Sequence, residues 1–137
     1  MTNPRKKILI ADDDPDDREM LIEFITGIEP GIQISAVNNG QQALQYLARL
    51  PDEALPNLLV LDYKMPMLNA SEVLEKLAIE TRYNSISKVV WSTSQQQDGL
   101  NRCINAGAVR YFIKPGSTNA LRQLATEMLQ LITSVKR

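Results

Sequence analysis

Short runs of apolar residues alternate five times with segments whose apolar residues recur at helical spacing. Ile8–Ala11, Leu58–Leu61 and Val89–Trp91 are apolar throughout, the pattern of central strands buried on both faces. Ile32–Ala36 alternates and Val109–Ile113 carries Arg110, so these two runs read as sheet edges. Between the runs lie five predicted helices. The first starts at Asp14-Pro15-Asp16-Asp17, with proline early and acids at the positive end of the helix dipole. Met20, Leu21, Phe24, Ile25 and Ile28 form its stripe, and Glu29-Pro30-Gly31 ends it. The second spans 40–50, with Ala43, Leu44, Leu47 and Ala48 inward. The third spans 71–82, with Ser71 as N-cap and Val73, Leu74, Leu77 and Ala78 buried. The fourth, 96–106, is the most polar and buries only Leu100, Cys103 and Ile104. The fifth, 117–135, carries Leu121, Leu124, Met128, Leu131, Ile132 and Val135 in register.

Strictly alternating strands and helices imply a parallel sheet covered on both sides. With the second and fifth strands outermost, the order is 2-1-3-4-5: a flavodoxin-like, three-layer α/β fold of five strands and five helices. Ligands in such sheets bind beyond the carboxyl ends of the strands, where the order reverses. Four of the five runs end there in chemically pointed residues: Asp12 and Asp13, Asp62, Ser92, and Lys114-Pro115. The loop 51–57, with two prolines and two acids, is the longest insertion. No repeat, linker or output domain is evident, and residues 1–137 read as one domain.

Composition narrows the chemistry. Histidine is absent, which removes Ser-His-Asp triads, Cys-His pairs, histidine-held zinc or haem, and phosphohistidine on this chain. The net charge of −1, with no basic run longer than Arg5-Lys6-Lys7, argues against nucleic-acid binding. A lone Cys103 gives no disulfide framework and suits a reducing cytoplasm. Neither a signal peptide nor a membrane span is expected.

The stretches Ile8-Leu9-Ile10-Ala11-Asp12-Asp13-Asp14, Leu61-Asp62-Tyr63-Lys64-Met65-Pro66, Val89-Val90-Trp91-Ser92-Thr93-Ser94 and Tyr111-Phe112-Ile113-Lys114-Pro115 resemble, in order and spacing, the receiver domain of bacterial two-component response regulators. The resemblance covers essentially the whole chain and is greatest to stand-alone receivers, such as chemotaxis regulators and partners of phytochrome-like kinases. It implies that Asp62 is the phosphoacceptor. Asp13, Asp62 and the backbone carbonyl of Lys64 would hold Mg²⁺ directly, and Asp12 would support it through water. Ser92 and Tyr111 would be the switch pair, and Lys114 the conserved-type lysine before a cis Pro115. A sensor histidine kinase or histidine phosphotransfer protein would donate the phosphoryl group, and a downstream protein would read it. The chain would act as a monomer or a phosphorylation-linked homodimer, with no turnover of a separate substrate. Ser92 stands where threonine is commoner, Ala70 where glycine usually follows the Met-Pro loop, and Lys64 puts an ammonium beside Asp62.

The chemistry agrees with this assignment. Phosphoryl transfer onto a carboxylate brings anions together, so positioning and positive charge do most of the work. Mg²⁺ prefers hard oxygens, few carboxylates and several waters. Three other functions compete. A small Mg²⁺-dependent phosphatase of haloacid dehalogenase type would also use Asp12-x-Asp14, but needs an acidic metal site after its lysine, where Glu127 alone is found within a helix. A docking module that is never phosphorylated would lack site residues. A flavodoxin would carry a Ser/Thr/Gly-rich phosphate loop where this chain has acids. On the receiver reading, phosphorylation draws Ser92 towards Asp62 and Tyr111 rotates into the space left. Trp91, its ring on the opposite sheet face, is an adjacent reporter. The face of the fourth helix bearing Gln97, Asn101, Arg102 and Asn105 is the expected contact region. Lys64 has donors only, and Ser94 is a poor clamp for water, which predicts slow self-hydrolysis.

Overall fold

In the computed structural model, which describes residues 6–93 and 97–135, five strands and five helices alternate. They are β1 (Lys7–Ala11), α1 (Pro15–Ile28), β2 (Gln33–Val37), α2 (Gly40–Arg49), β3 (Leu58–Asp62), α3 (Ala70–Ala78), β4 (Ser87–Ser92), α4 (Gln97–Asn105), β5 (Arg110–Ile113) and α5 (Thr118–Val135). The sheet is parallel throughout, in the order β2-β1-β3-β4-β5, as the apolar and mixed runs predict. Side chains alternate across the pleat and divide the core in two. Leu9, Ala11, Leu59, Leu61 and Val90 pack beneath α2, α3 and α4, while Ile8, Ile10, Val60, Val89 and Trp91 pack beneath α1 and α5.

Helix ends show where side chains compete with the backbone. Asp14 caps α1, accepting from the amides of Asp16 and Asp17, with Pro15 in the first turn. Asn39 caps α2 by accepting from the Gln42 amide. At α3 the expected Ser71 cap is replaced by Asn69. Asn69 accepts from the Glu72 amide at 3.0 Å while the Glu72 carboxylate accepts from the Asn69 amide at 2.9 Å. This reciprocal box satisfies two otherwise orphaned donors, and Ser71 donates to Asn69 from inside the first turn.

The third helix also stops earlier than its periodicity suggests, at Ala78, and Thr81–Tyr83 forms a separate 3₁₀ turn. Tertiary bonds decide this. The Arg82 guanidinium reaches back to the carbonyls of Leu47 and Leu50 at the end of α2, to Asp52 at 2.7 Å and to the Tyr83 hydroxyl. Buried Lys88 donates to the carbonyls of Tyr83 and Ile86, which closes the same corner. In α4 the buried residues are Gly99 and Cys103, whereas Ile104 is 42% exposed, contrary to expectation. Ala48 and Ala78 likewise face solvent. Gln96 and the side chain of Val135 lie outside the described residues.

Candidate functional site

The carboxyl ends of β1, β3, β4 and β5 converge on a cleft of about 380 Å³. Backbone bonds between neighbouring strand ends hold it in register. Asp12 donates to the Val37 carbonyl at 3.1 Å, Tyr63 to Trp91 at 3.0 Å, and Lys114 to Ser92 at 2.6 Å. Asp13, Asp62, Lys64, Ser92 and Lys114 all line the cleft, together with Thr93, an exposed hydroxyl that the sequence pattern did not single out.

Asp12, Asp13 and Asp62 each place a carboxylate oxygen within 4.8 Å of the others. Asp12 is fully buried and Asp62 is 6% exposed, while Asp13 faces solvent. One Asp12 oxygen accepts from the Asp14 amide at 2.9 Å. The other is buried with no hydrogen bond of good geometry among the described residues and lies 3.0 Å from the Lys114 ammonium. The Arg18 guanidinium, also absent from the sequence reading, lies behind the cluster and donates to the Asp12 carbonyl and to Asn38, each at 2.8 Å. Burial, followed by the Asp12 carboxylate, pushes the Asp62 carboxyl up to about 7, against the opposing pull of Lys114. Such a cluster has the donor set of a hard divalent cation: few carboxylates, one of them under-satisfied, and an open side for water. Mg²⁺ fits it.

Lys114 is 9% exposed at its side chain and lies 2.9 Å from Asp17, 3.0 Å from Asp12 and 3.5 Å from Asp62. Its own pKa is raised by these carboxylates despite the opposing effect of burial. The Lys114–Pro115 bond is trans, since no cis peptide occurs among the described residues, so the expected cis proline is corrected. An X-Pro bond favours trans intrinsically, and with it the ammonium already reaches the acidic cluster.

The loop from Asp62 to α3 answers the question raised by Ala70. Alanine is the first residue of α3, fully buried, its amide donating to the Tyr63 carbonyl at 3.1 Å. Its φ is not positive, so no glycine is required there. The unusual backbone falls instead on Met67, at φ 73°, the centre of a tight turn in which Leu68 donates to the Pro66 carbonyl at 2.8 Å.

Ser92 ends β4, and Tyr111 on β5 packs beside it and against Tyr63, with ring centroids 6.3 Å apart. The Tyr111 hydroxyl is buried; its pKa is raised by desolvation and drawn down by neighbouring Ser92, although the two hydroxyls do not form a bond of good geometry. The aromatic side chain is therefore already turned inward. Tyr63 in turn sits on Gly99, where a Cβ would come within 2.8 Å of its ring. Trp91 points to the opposite sheet face, as expected, among residues under α1 and α5. Lys64 is exposed at the rim, and Ser94 lies outside the described residues.

A doubly covered parallel sheet with an acidic triad, a hydroxyl and a lysine at its switch point describes a phosphorylation-controlled signalling switch. The profile of the response regulator receiver domain matches residues 8–126, and the chain belongs to that family. Its function is phosphorylation-dependent signalling in a two-component system. The chain is 26% identical to the two-component response regulator ARR8 of Arabidopsis thaliana, over 94% of its length and 63% of the relative's. It is 26% identical to ORR5 of Oryza sativa subsp. japonica, over 90% and 88% of the two chains. These plant relatives carry no support for a bacterial origin. The phosphorylated cyanobacterial phytochrome response regulator RcpA has the same fold, with a TM-score of 0.86, 23% identity and 98% of each chain covered. Among the described residues no helix is long and apolar enough to cross a membrane.

Proposed function

We propose that Asp62 is the phosphoacceptor, taking a phosphoryl group from a sensor histidine kinase or a histidine phosphotransfer protein in a Mg²⁺-dependent reaction. The observation that carries this is the placement of the Asp62 carboxylate, at the end of a central strand, between two further carboxylates and 3.5 Å from Lys114. A carboxylate oxygen of Asp62 bonds to phosphorus as the donor's P–N bond breaks, and the electron pair leaves with the imidazole. Lys114 and Ser92 stabilise charge on the phosphoryl oxygens. Mg²⁺, held by Asp13, Asp62 and the Lys64 carbonyl with Asp12 behind, supplies the remaining positive charge when bound. The chain acts in the cytoplasm and signals by association with a downstream protein or a second copy. The exposed α4 face bearing Gln97, Asn101, Arg102 and Asn105 is the contact region.

Incubation with Mg²⁺ and acetyl phosphate, followed by intact mass, tests the acceptor. One phosphoryl group is expected on the wild type and none on Asp62→Asn. Sustained release of phosphate from small esters would instead favour the phosphatase. The switch is tested by Ser92→Ala. With Tyr111 already inward, phosphorylation changes chiefly the Ser92 contact, so the variant is expected to lose most of the phosphorylation-linked gain in partner affinity. Retention of the full gain would break the coupling.

Lifetime depends on Lys64. It lines the cleft, carries donors only, and can meet a phosphoryl oxygen and obstruct the attacking water. Slow self-hydrolysis follows, suited to a phosphorelay or a slow light or stress response. Lys64→Asn is expected to speed decay of the phosphorylated protein in Mg²⁺ buffer, and equal or slower decay would contradict the obstruction.

A further inference from the structure

The Lys114 ammonium is drawn in two directions. Towards the cleft it meets Asp12 and, at the longest distance of its three carboxylates, Asp62; towards α1 it meets Asp17 at 2.9 Å. Beneath it lies the Trp91 ring, with Nζ 4.9 Å from the centroid. Asp17 lines the α1 side of the same cleft, but it lies outside the carboxylate triad and is not among the groups that shift the Asp62 pKa. It is joined to Lys114 across 97 residues of sequence, and its side chain keeps 34% of its exposure. Trp91 is 2% exposed and holds the floor of a small cavity between α1 and the start of α5, whose walls include Met20, Pro115 and Leu121.

We propose that Asp17 and Trp91 form a parking place for Lys114, a positioning device that rests on Asp62 being the phosphoacceptor. In the unphosphorylated chain the carboxylate of α1 and the indole face keep Asp62, at 3.5 Å, the most distant of the ammonium's three carboxylates. A phosphoryl group on Asp62 brings a charge of about −1.5 to −2 and strong acceptor oxygens. It outbids a single, partly hydrated carboxylate and draws the ammonium away. Lys114 has three donors, so the exchange lets it keep Asp12 while releasing Asp17. Phosphorylation thereby frees a carboxylate on the first turn of α1. Before phosphorylation, the same contact slows uptake by stabilising the ammonium where it does not serve the transfer.

The chain has one tryptophan, so its emission reports directly on the cation above the ring. The experiment follows phosphoryl uptake from acetyl phosphate by intact mass, and Trp91 emission before and after, in wild type, Asp17→Asn, Asp16→Asn and Lys114→Met. Asp16 lies on the same exposed acidic turn and makes no ion pair with Lys114, so Asp16→Asn removes an equal charge without touching the parking contact. Asp17→Asn is expected to take up the phosphoryl group about fivefold faster, the yield of one partly exposed ion pair, while Asp16→Asn keeps the wild-type rate. Emission of unphosphorylated Asp17→Asn is expected to shift part of the way towards that of Lys114→Met, and wild type to shift in the same direction on phosphorylation. Equal acceleration in Asp16→Asn would reduce the effect to general charge and overturn the proposal. So would wild-type rate and emission in Asp17→Asn. A wild type that takes up no phosphoryl group would defeat the acceptor reading instead, and the emission of the unphosphorylated variants would still decide whether Asp17 holds Lys114.

Discussion

Without divalent cations, the protein is expected to lose about 3 kcal/mol of stability between pH 5 and pH 8, and to regain most of it when Mg²⁺ is added. The cause is Asp62, whose carboxyl is pushed from 3.8 up to about 7 by burial and by Asp12. Below pH 4 it is protonated in both the folded and the unfolded chain and has no effect on their balance. Between pH 4 and pH 7 the unfolded chain releases the proton and the folded chain retains it, so the folded state binds more protons and stability falls as the pH rises. By pH 8 both are almost fully ionised and the loss is complete. A bound cation reverses the sign by favouring the carboxylate. Urea denaturation at pH 5, 6.5 and 8, with and without Mg²⁺, measures this directly. Asp62→Asn should flatten the wild-type slope and leave Mg²⁺ with little effect. A wild type as steep as Asp62→Asn, or no rescue by Mg²⁺, would show that the triad does not carry this strain.

Gly40→Ala is expected to cost about 1–2 kcal/mol, although the same change inside many helices is favourable. A Cβ built on Gly40 falls 2.5 Å from Val73 Cγ2 and 3.0 Å from the Leu68 carbonyl oxygen. Val73 is fully buried on α3, and a β-branched side chain in a helix has essentially one rotamer, so the methyl cannot swing aside. Leu68 belongs to the loop that joins Asp62 to α3, and its carbonyl is backbone. Relief therefore requires α2 to separate from α3 or the loop to move. The midpoint in urea should fall without a change in slope. A variant as stable as the wild type would show that the loop yields freely.

Much of the architecture was legible in the chain alone. Strands buried on both faces must be apolar throughout, so Ile8–Ala11, Leu58–Leu61 and Val89–Trp91 declared themselves central, and the mixed edges then left one strand order. Because ligands of such sheets gather at carboxyl ends, Asp12, Asp13, Asp62, Ser92 and Lys114 could be brought together from their positions alone. These inferences rest on local periodicity and on rules that hold for any parallel sheet. Other features depended on groups far apart in sequence. The early end of α3 follows from Arg82 bonding to the carbonyls of Leu47 and Leu50, which no helical periodicity encodes. Asp17 looked like one more acid favoured by a helix dipole, until the fold set it against Lys114. Met67 rather than Ala70 bears the left-handed backbone, and Lys114–Pro115 stays trans, because loop conformation is settled by the bonds each loop can close. Pattern and spacing thus determined the strands, their order and the acidic cleft at their ends. Tertiary structure alone decided which carboxylate holds the lysine and what lies beneath it, since charges and rings meet only once the chain has packed.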